Sequence, residues 1–475
     1  MPGLTARRRA PRAQDVVHRR PSFWRSLSGP QLLVISFAVL VLIGTLGLMY
    51  LPGLYTGERL GWLDALFTAT SAACVTGLII VDTATYFTPA GQAWLLLLIQ
   101  LGGLGIITLT TLIIVALGRR LSLRQETLAA TTYDIAPHVD FRHLARDIVI
   151  FTFALELLGA ALLYLAWIPR FGIEGALWPS LFHAISAFCN AGFSTFTNSV
   201  MDFQRAPGTL LVISALIVLG GIGFLTLEEV VLHTRSRRTG RPFRLSLHSR
   251  IVLWVTALLI VGGWALFAYF EWSATLANLP RGDKLANSLF MSVTARTAGF
   301  NVVDYGAMSV RSDFLTILLM MIGGSPGSTA GGLKTTTIAL IGLLAWSRLR
   351  GRDTASIWGR SVPEETVQRA VGLFVVAFGF VTLAIFAYTT SELPATGVIA
   401  DIGFLEYMFE AVSAFNTVGL SMGVTPQLTE FGRLLTIVLM FVGRVGPLTF
   451  AAAIALRNPT PGTDFRYAYE DVAVG

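Results

Sequence analysis

Charge is scarce in this sequence: Asp, Glu, Lys and Arg make up 13% of 475 residues, against 54% hydrophobic. A soluble protein of several domains needs more. Cysteine is nearly absent, and Cys74 and Cys189 offer neither a disulfide framework nor metal-site spacing. Both read as packing residues with no redox role. No Walker motif or other nucleotide fingerprint occurs, and the glycine-rich runs lie inside apolar stretches with no strand before them. Energy from ATP would need another subunit. A membrane enzyme would need paired carboxylates or His with Asp at membrane depth. The intramembrane ionisable groups Glu156, Lys334 and Arg444 do not align into such a set, so a polytopic enzyme stays a remote alternative.

What the chain has is length in apolar runs, with a mean hydropathy of +0.67. A membrane-spanning helix needs about 20 apolar residues, and eight runs qualify, near 31–50, 94–117, 148–168, 209–232, 251–270, 314–346, 367–388 and 434–456. The sixth is interrupted by Gly, Ser and Pro; the other seven read as ordinary spans. The basic stretch before the first run resembles a signal peptide, but the run is long and no small-residue cleavage site stands out, so it reads as a retained span. Seven Arg precede the first span, five lie in 118–147, six in 233–250, five in 347–369 and two after 456, whereas the four intervening segments carry eight Lys or Arg together. The positive-inside rule then puts both termini in the cytoplasm of a plasma membrane. The net charge of +7 is explained by this topology and by anionic headgroups, with no need for nucleic acid.

Between spans, one short stretch recurs four times: Leu66–Leu78, Leu181–Phe193, Ser288–Phe300 and Met408–Leu420, each ending in Gly followed by Leu or Phe. The glycines Gly77, Gly192, Gly299 and Gly419 are 115, 107 and 120 residues apart. Glycine-rich kinks follow in register at Gly102-Gly103, Gly220-Gly221, Gly323-Gly324 and Gly443-Arg444. The segments before each glycine are too short to span and read as re-entrant pore helices. Irregular backbone at membrane depth must be buried by protein or line a watery cavity. The expected fold is therefore all-α and integral to the membrane: four tandem helix–pore helix–helix repeats in pseudo-fourfold arrangement, with eight transmembrane helices and four pore helices.

The expected units are a basic arm 1–30, repeat 1 over 31–117, a cytoplasmic loop 118–147, repeat 2 over 148–233, and a loop 234–250. Repeat 3 covers 251–346 with an irregular loop 323–332, followed by a loop 347–366, repeat 4 over 367–456 and a tail 457–475. Backbone carbonyl rings can replace the water of a dehydrated potassium ion without a fixed charge that would hold it. The expected lining is Val75, Thr76, Gly77, Asn190, Ala191, Gly192, Thr297, Ala298, Gly299, Thr417, Val418 and Gly419. Three of the four loops lack an acidic residue there, which argues against a divalent carboxylate ring. Arg296 reads as a guanidinium pinning loop backbone through several hydrogen bonds, and His183 as a packed or hydrogen-bonded residue.

The break in the sixth span contains Gly323, Gly324, Ser325, Pro326, Gly327, Ser328, Thr329, Gly331 and Gly332, a composition that cannot hold a helix. Small residues with little packing are what a mobile loop needs; a static kink is the alternative. Lys334 follows directly, at a depth where an ammonium is a functional flag. Arg444 takes the position held by Gly103, Gly221 and Gly324, and a charged guanidinium there either lines the path or pairs with a carboxylate such as Glu156 or Glu228. Glu228 and Glu229 read as an exposed helix end.

The four Gly-centred loops, the missing Tyr-Gly of tetrameric potassium channels and the Gly323–Lys334 segment together resemble the Trk/Ktr/HKT superfamily of potassium transporters over about 31–456. The chain is most similar to the bacterial KtrB type. The resemblance implies a selectivity filter at the four loops and a gate formed by the 323–332 loop, with an Arg at position 444 near the pore centre. It implies potassium as the transported ion, because plant relatives that prefer sodium carry Ser where this chain has Gly77. It further implies a homodimer on a cytosolic ring of nucleotide-binding regulatory subunits, KtrA-like. The basic loops and the tail are one docking surface for it, and plain lipid contact explains the same arginines. A sodium-permeable or sodium-dependent transporter of the same architecture stays open.

Overall fold

The computed structural model describes residues 29–104, 141–239, 244–395, 403–447 and 449–451. The basic arm, most of the 118–147 loop and the tail lie outside the described residues.

The fold is helical, with the long apolar helices facing outward. Helix α1 spans Gly29–Tyr50. The short, buried α2 (Trp62–Ala73) follows, then one turn, α3 (Thr83–Tyr86), and α4 (Pro89–Gly103). Helix α5 (Phe141–Phe188) is two helices in one run, broken where Gly172 turns to φ +75°. After α6 (Pro207–Ile222) and α7 (Phe224–Thr239) come α8 (Leu247–Glu271), α9 (Arg281–Thr294), α10 (Val310–Met321) and α11 (Thr335–Leu349). The chain continues through α12 (Glu364–Ala395), α13 (Phe404–Phe415) and α14 (Glu430–Val445).

In the apolar windows of α5, α8 and α12, only 28%, 28% and 22% of residues are buried within the chain. Apolar side chains left in such numbers on a surface need lipid to cover them. The helices that return inward start with ordinary caps: Thr88, Ser309 and Thr429 each accept from the N–H three residues on, and Pro207 opens α6. Two buried carboxylates fix these starts against the outer helices. Glu271, at the end of α8, accepts from Ser309 N (3.2 Å), Ser309 Oγ (2.7 Å) and Ser312 Oγ (2.6 Å). Glu392 of α12 accepts from Thr429 N at 3.0 Å.

Four expectations change. The fourth run is not an uninterrupted span: α6 and α7 meet at 102°, because Gly223 adopts φ +97°, a conformation that ends a helix. The eighth likewise stops at Val445, where Gly446 has φ +95°. Glu228 and Glu229 therefore sit in the second turn of α7 and do not close a span; Glu228 is exposed as expected, whereas Glu229 accepts from Ser246 N at 2.9 Å. The fold is also not wholly helical. Between α11 and α12, Ser356–Ile357 (β1) pairs antiparallel with Arg360–Ser361 (β2), since Trp358 and Gly359 both take positive φ as a two-residue hairpin turn demands.

The short helices pack in a closed cycle. Helix α4 touches α5, α6 touches α9, α10 touches α13, and α14 returns to α2. An ion pair seals that last contact, Arg433 Nη1 to Asp64 Oδ1 at 2.7 Å.

Candidate functional site

The cycle of helices carries a cycle of backbone. Where each short helix ends, the chain enters the left-handed region two residues before its glycine: Val75 (φ +56°), Asn190 (+59°), Thr297 (+70°) and Thr417 (+50°). The glycines do so again, at +95° for Gly77, +70° for Gly192, +77° for Gly299 and +92° for Gly419. Four side-chain-bearing residues with positive φ at equivalent positions are uncommon, and such strain clusters at working sites.

The loops close on one another in order. A Cβ placed on Gly77 would run into Ala191 O, one on Gly192 into Ala298 O, one on Gly299 into Val418 O, and one on Gly419 into Thr76 O. Each glycine thus lies against the carbonyl preceding the glycine of the next loop, and the fourth loop returns to the first. Only a residue without Cβ satisfies both the backbone conformation and this approach.

Hydroxyls behind the loops hold the strands. Ser71 Oγ donates to Leu78 O (2.7 Å), Ser186 Oγ to Phe193 O (2.8 Å) and Thr294 Oγ1 to Phe300 O (2.8 Å), while Ser413 Oγ accepts from Gly419 N (3.1 Å). The sequence reading passed over these four. The signal was a Ser or Thr followed by Ala five or six residues before each glycine. By contrast, Asn190 Oδ1, Thr297 Oγ1 and Thr417 Oγ1 are buried with no partner, as is Thr76 Oγ1. Orphaned oxygens beside four backbone carbonyls amount to a site rich in ligands and poor in charge.

The ring opens on one side into a cavity of about 380 Å³ lined by all four glycines together with Asp82 and Asp304. Each aspartate lies five residues after its glycine and is held in place as a turn cap: Asp82 accepts from Ala84 N, Asp304 from Gly306 N, both at 3.0 Å.

On the other side lies the irregular segment between α10 and α11. It is not the loosely packed loop that its composition suggested. Ser325 N donates to Gly221 O (2.9 Å), Thr329 N to Gly220 O (3.2 Å) and Leu333 N to Asn416 Oδ1 (3.3 Å). Thr329 Oγ1 donates to Phe188 O and accepts from Asn190 Nδ2, both at 3.0 Å. A Cβ on Gly331 would strike Thr417 Oγ1. Small residues here let the segment lie close against the ring, spanning from the second loop to the fourth. Arg444 fixes the segment's centre. Its guanidinium donates to Thr329 O and to Gly102 O, so neither Glu156 nor Glu228 defines its place. Glu156 instead accepts from Gln100 Nε2 at 3.3 Å, with Cys189 Sγ 3.8 Å away. Lys334 Nζ donates to Ala330 O at 2.7 Å.

Of two other expectations, one fails and one holds. Arg296 does not pin loop backbone: its side chain is buried, and Nε has no partner. His183 is hydrogen-bonded as expected, with Nε2 2.9 Å from Ser194 Oγ and Nδ1 2.8 Å from Pro179 O. Cys74 and Cys189 are free and fully buried.

Lipid-facing helices around a buried ring of backbone loops define a multi-pass membrane protein with a polar site in its interior. Residues 17–462 match the TrkH family of cation transport proteins, and the chain belongs to that family. It is a transporter, not an enzyme. It is 39% identical over 456 residues to the Ktr system potassium uptake protein B of Bacillus subtilis, covering 95% of this chain and 98% of that one. Over 454 residues it is 37% identical to the potassium/sodium uptake protein NtpJ of Enterococcus hirae, with the same coverage. The crystal structure of the potassium transporter TrkH from Vibrio parahaemolyticus shares the fold, with a TM-score of 0.70 at 19% identity over 93% of this chain and 87% of that one.

Proposed function

We propose that the chain is the potassium-translocating subunit of an uptake system, in which four pore-loop repeats around one pseudo-fourfold axis form a selectivity filter. The carrying observation is the cyclic approach of Gly77, Gly192, Gly299 and Gly419 to the carbonyls of Ala191, Ala298, Val418 and Thr76. Rings of carbonyl oxygen replace the hydration of an alkali ion and let it leave again. Potassium is the cargo here, and the unpartnered oxygens of Asn190, Thr297 and Thr417 add ligands at the inner mouth. Val75 offers none, so that level of the filter has three side-chain oxygens instead of four. Asp82 and Asp304 raise the local cation concentration at the outer mouth without entering the ring.

The segment from Gly323 to Gly332, with Lys334 and Arg444, is the gate. It lies across the axis beneath the filter, and its hydrogen bonds to the second and fourth loops support a closed state. The termini face the cytoplasm, where the family resemblance and the name of the Bacillus relative, part of a Ktr system, favour a nucleotide-binding regulatory ring and a homodimer of this subunit. Sodium permeation is a second reading, favoured by the name of the Enterococcus relative.

Rubidium and sodium uptake in a host lacking its own potassium uptake tests the assignment. Gly77→Ser adds a Cβ against Ala191 O at φ +95°, and rubidium-over-sodium preference is expected to fall at least about fivefold, the effect of roughly 1 kcal/mol of local distortion. Indifference of both rate and preference would remove Gly77 from the filter.

A further inference from the structure

Beneath the gate segment, on the side away from the aspartates, lies a second cavity of about 320 Å³. Its walls include Lys334, Arg444, Ser328 and Thr449, with Thr336 and Thr337 from the first turn of α11. No carboxylate lines it among the described residues. Helix α11 is 15 residues long, and its N-cap residue is Lys334, whose side chain caps no backbone N–H. The N-terminus of α11, the amine of Lys334 and the guanidinium of Arg444 therefore share one partly open space with hydroxyl donors between them, although Thr335 N already donates to Gly324 O (3.0 Å) and Thr337 N to Lys334 O (2.9 Å).

This is an inverted environment for a cation route. The guanidinium of Arg444, the amine of Lys334 and a helix N-terminus raise the energy of any potassium ion approaching from this side, and the two basic side chains repel each other in a medium of low polarity. The same set of groups is what binds tetrahedral oxyanions at helix N-termini elsewhere. Lys334 uses one donor on Ala330 O and has two more available to a ligand.

We infer that this cavity is an anion site, taking a phosphate or sulfate group that bridges Lys334, Arg444 and the N-terminus of α11. The ligand neutralises the charge below the filter and sets how readily the gate segment admits cations. The inference builds on the reading of the axis as a cation route, but its test measures binding, not flux.

The full chain is purified in uncharged detergent, and its thermal midpoint is followed against potassium phosphate, sulfate and gluconate at matched potassium and ionic strength. Phosphatidylglycerol in the micelle forms a separate arm. Phosphate or sulfate is expected to raise the midpoint saturably by about 2–4 °C over gluconate. Lys334→Gln should flatten that response and Lys334→Arg should keep it, while Gly262→Ala, where nothing lies within 4 Å, should leave it unchanged. A rise with phosphatidylglycerol alone that Lys334→Gln also removes assigns the same phosphate chemistry to a lipid headgroup. Should Lys334→Gln not fold, radiolabelled phosphate in equilibrium dialysis against wild type decides: one site per chain, displaced by sulfate and not by gluconate, supports the proposal. No saturable binding in any arm, or a response that Lys334→Gln leaves intact, overturns it.

Discussion

Exchanging Gly192 for alanine is expected to cut rubidium uptake at least about tenfold at an unchanged amount of protein in the membrane, because two penalties of roughly 1–2 kcal/mol fall on one residue. The first is conformational, since alanine must hold φ +70°. The second is steric: the new methyl would sit 2.9 Å from Ala298 O and from Gly299 Cα. Both neighbours are backbone of the third loop and cannot rotate aside, so the ring must open or distort. Gly299→Ala should behave alike, since its methyl would press on Val418 O of the fourth loop. Gly262→Ala, in open space on α8, should transport like wild type. Equal uptake by Gly192→Ala and Gly262→Ala would show that the contact carries no function.

Arg444→Ala is expected to raise basal flux several-fold, the opposite sign. Its guanidinium joins Thr329 O of the 323–332 segment to Gly102 O at the end of α4, so on the proposed reading its loss both frees the segment and removes a positive charge from the route. An unscreened unit charge at about 4 Å is worth up to about 4 kcal/mol at an effective dielectric near 20, more than enough to limit conduction. Two further variants separate latch from charge. Arg444→Gln keeps donors and drops the charge, and Arg444→Lys keeps the charge without the planar fork. If the latch dominates, lysine resembles alanine; if charge dominates, glutamine does. Flux at the wild-type level in Arg444→Ala and in a chain shortened within 323–332 would leave no gate at this position.

The glycines of the ring were legible because one residue type answers two demands at once, positive φ and the absence of a side chain, and both recur at near-constant spacing. The break at Gly323 was legible for a similar reason, as no helix survives that composition. The order in which the loops touch was not, since a sequence names the loops without saying which neighbour each meets. Arg296 misled for a related reason: an arginine beside a carbonyl-rich loop invites hydrogen bonds, yet its burial leaves Nε without a partner. The bend at Gly223 was marked by glycine but not its size, because 102° depends on the 323–332 segment, where Gly327 O accepts from Phe224 N at 3.1 Å. Glu271 and Glu392 escaped notice because a carboxylate at the end of an apolar run resembles a water-facing helix end. Only the fold shows the inner helix start that each one caps.

Anomalous diffraction from crystals soaked in thallium, a heavy monovalent mimic of potassium, tests the account most directly. Density is predicted on the line equidistant from Gly77, Gly192, Gly299 and Gly419, level with the carbonyls of Thr76, Ala191, Ala298 and Val418. Ordered thallium only elsewhere, with that line empty, would contradict it.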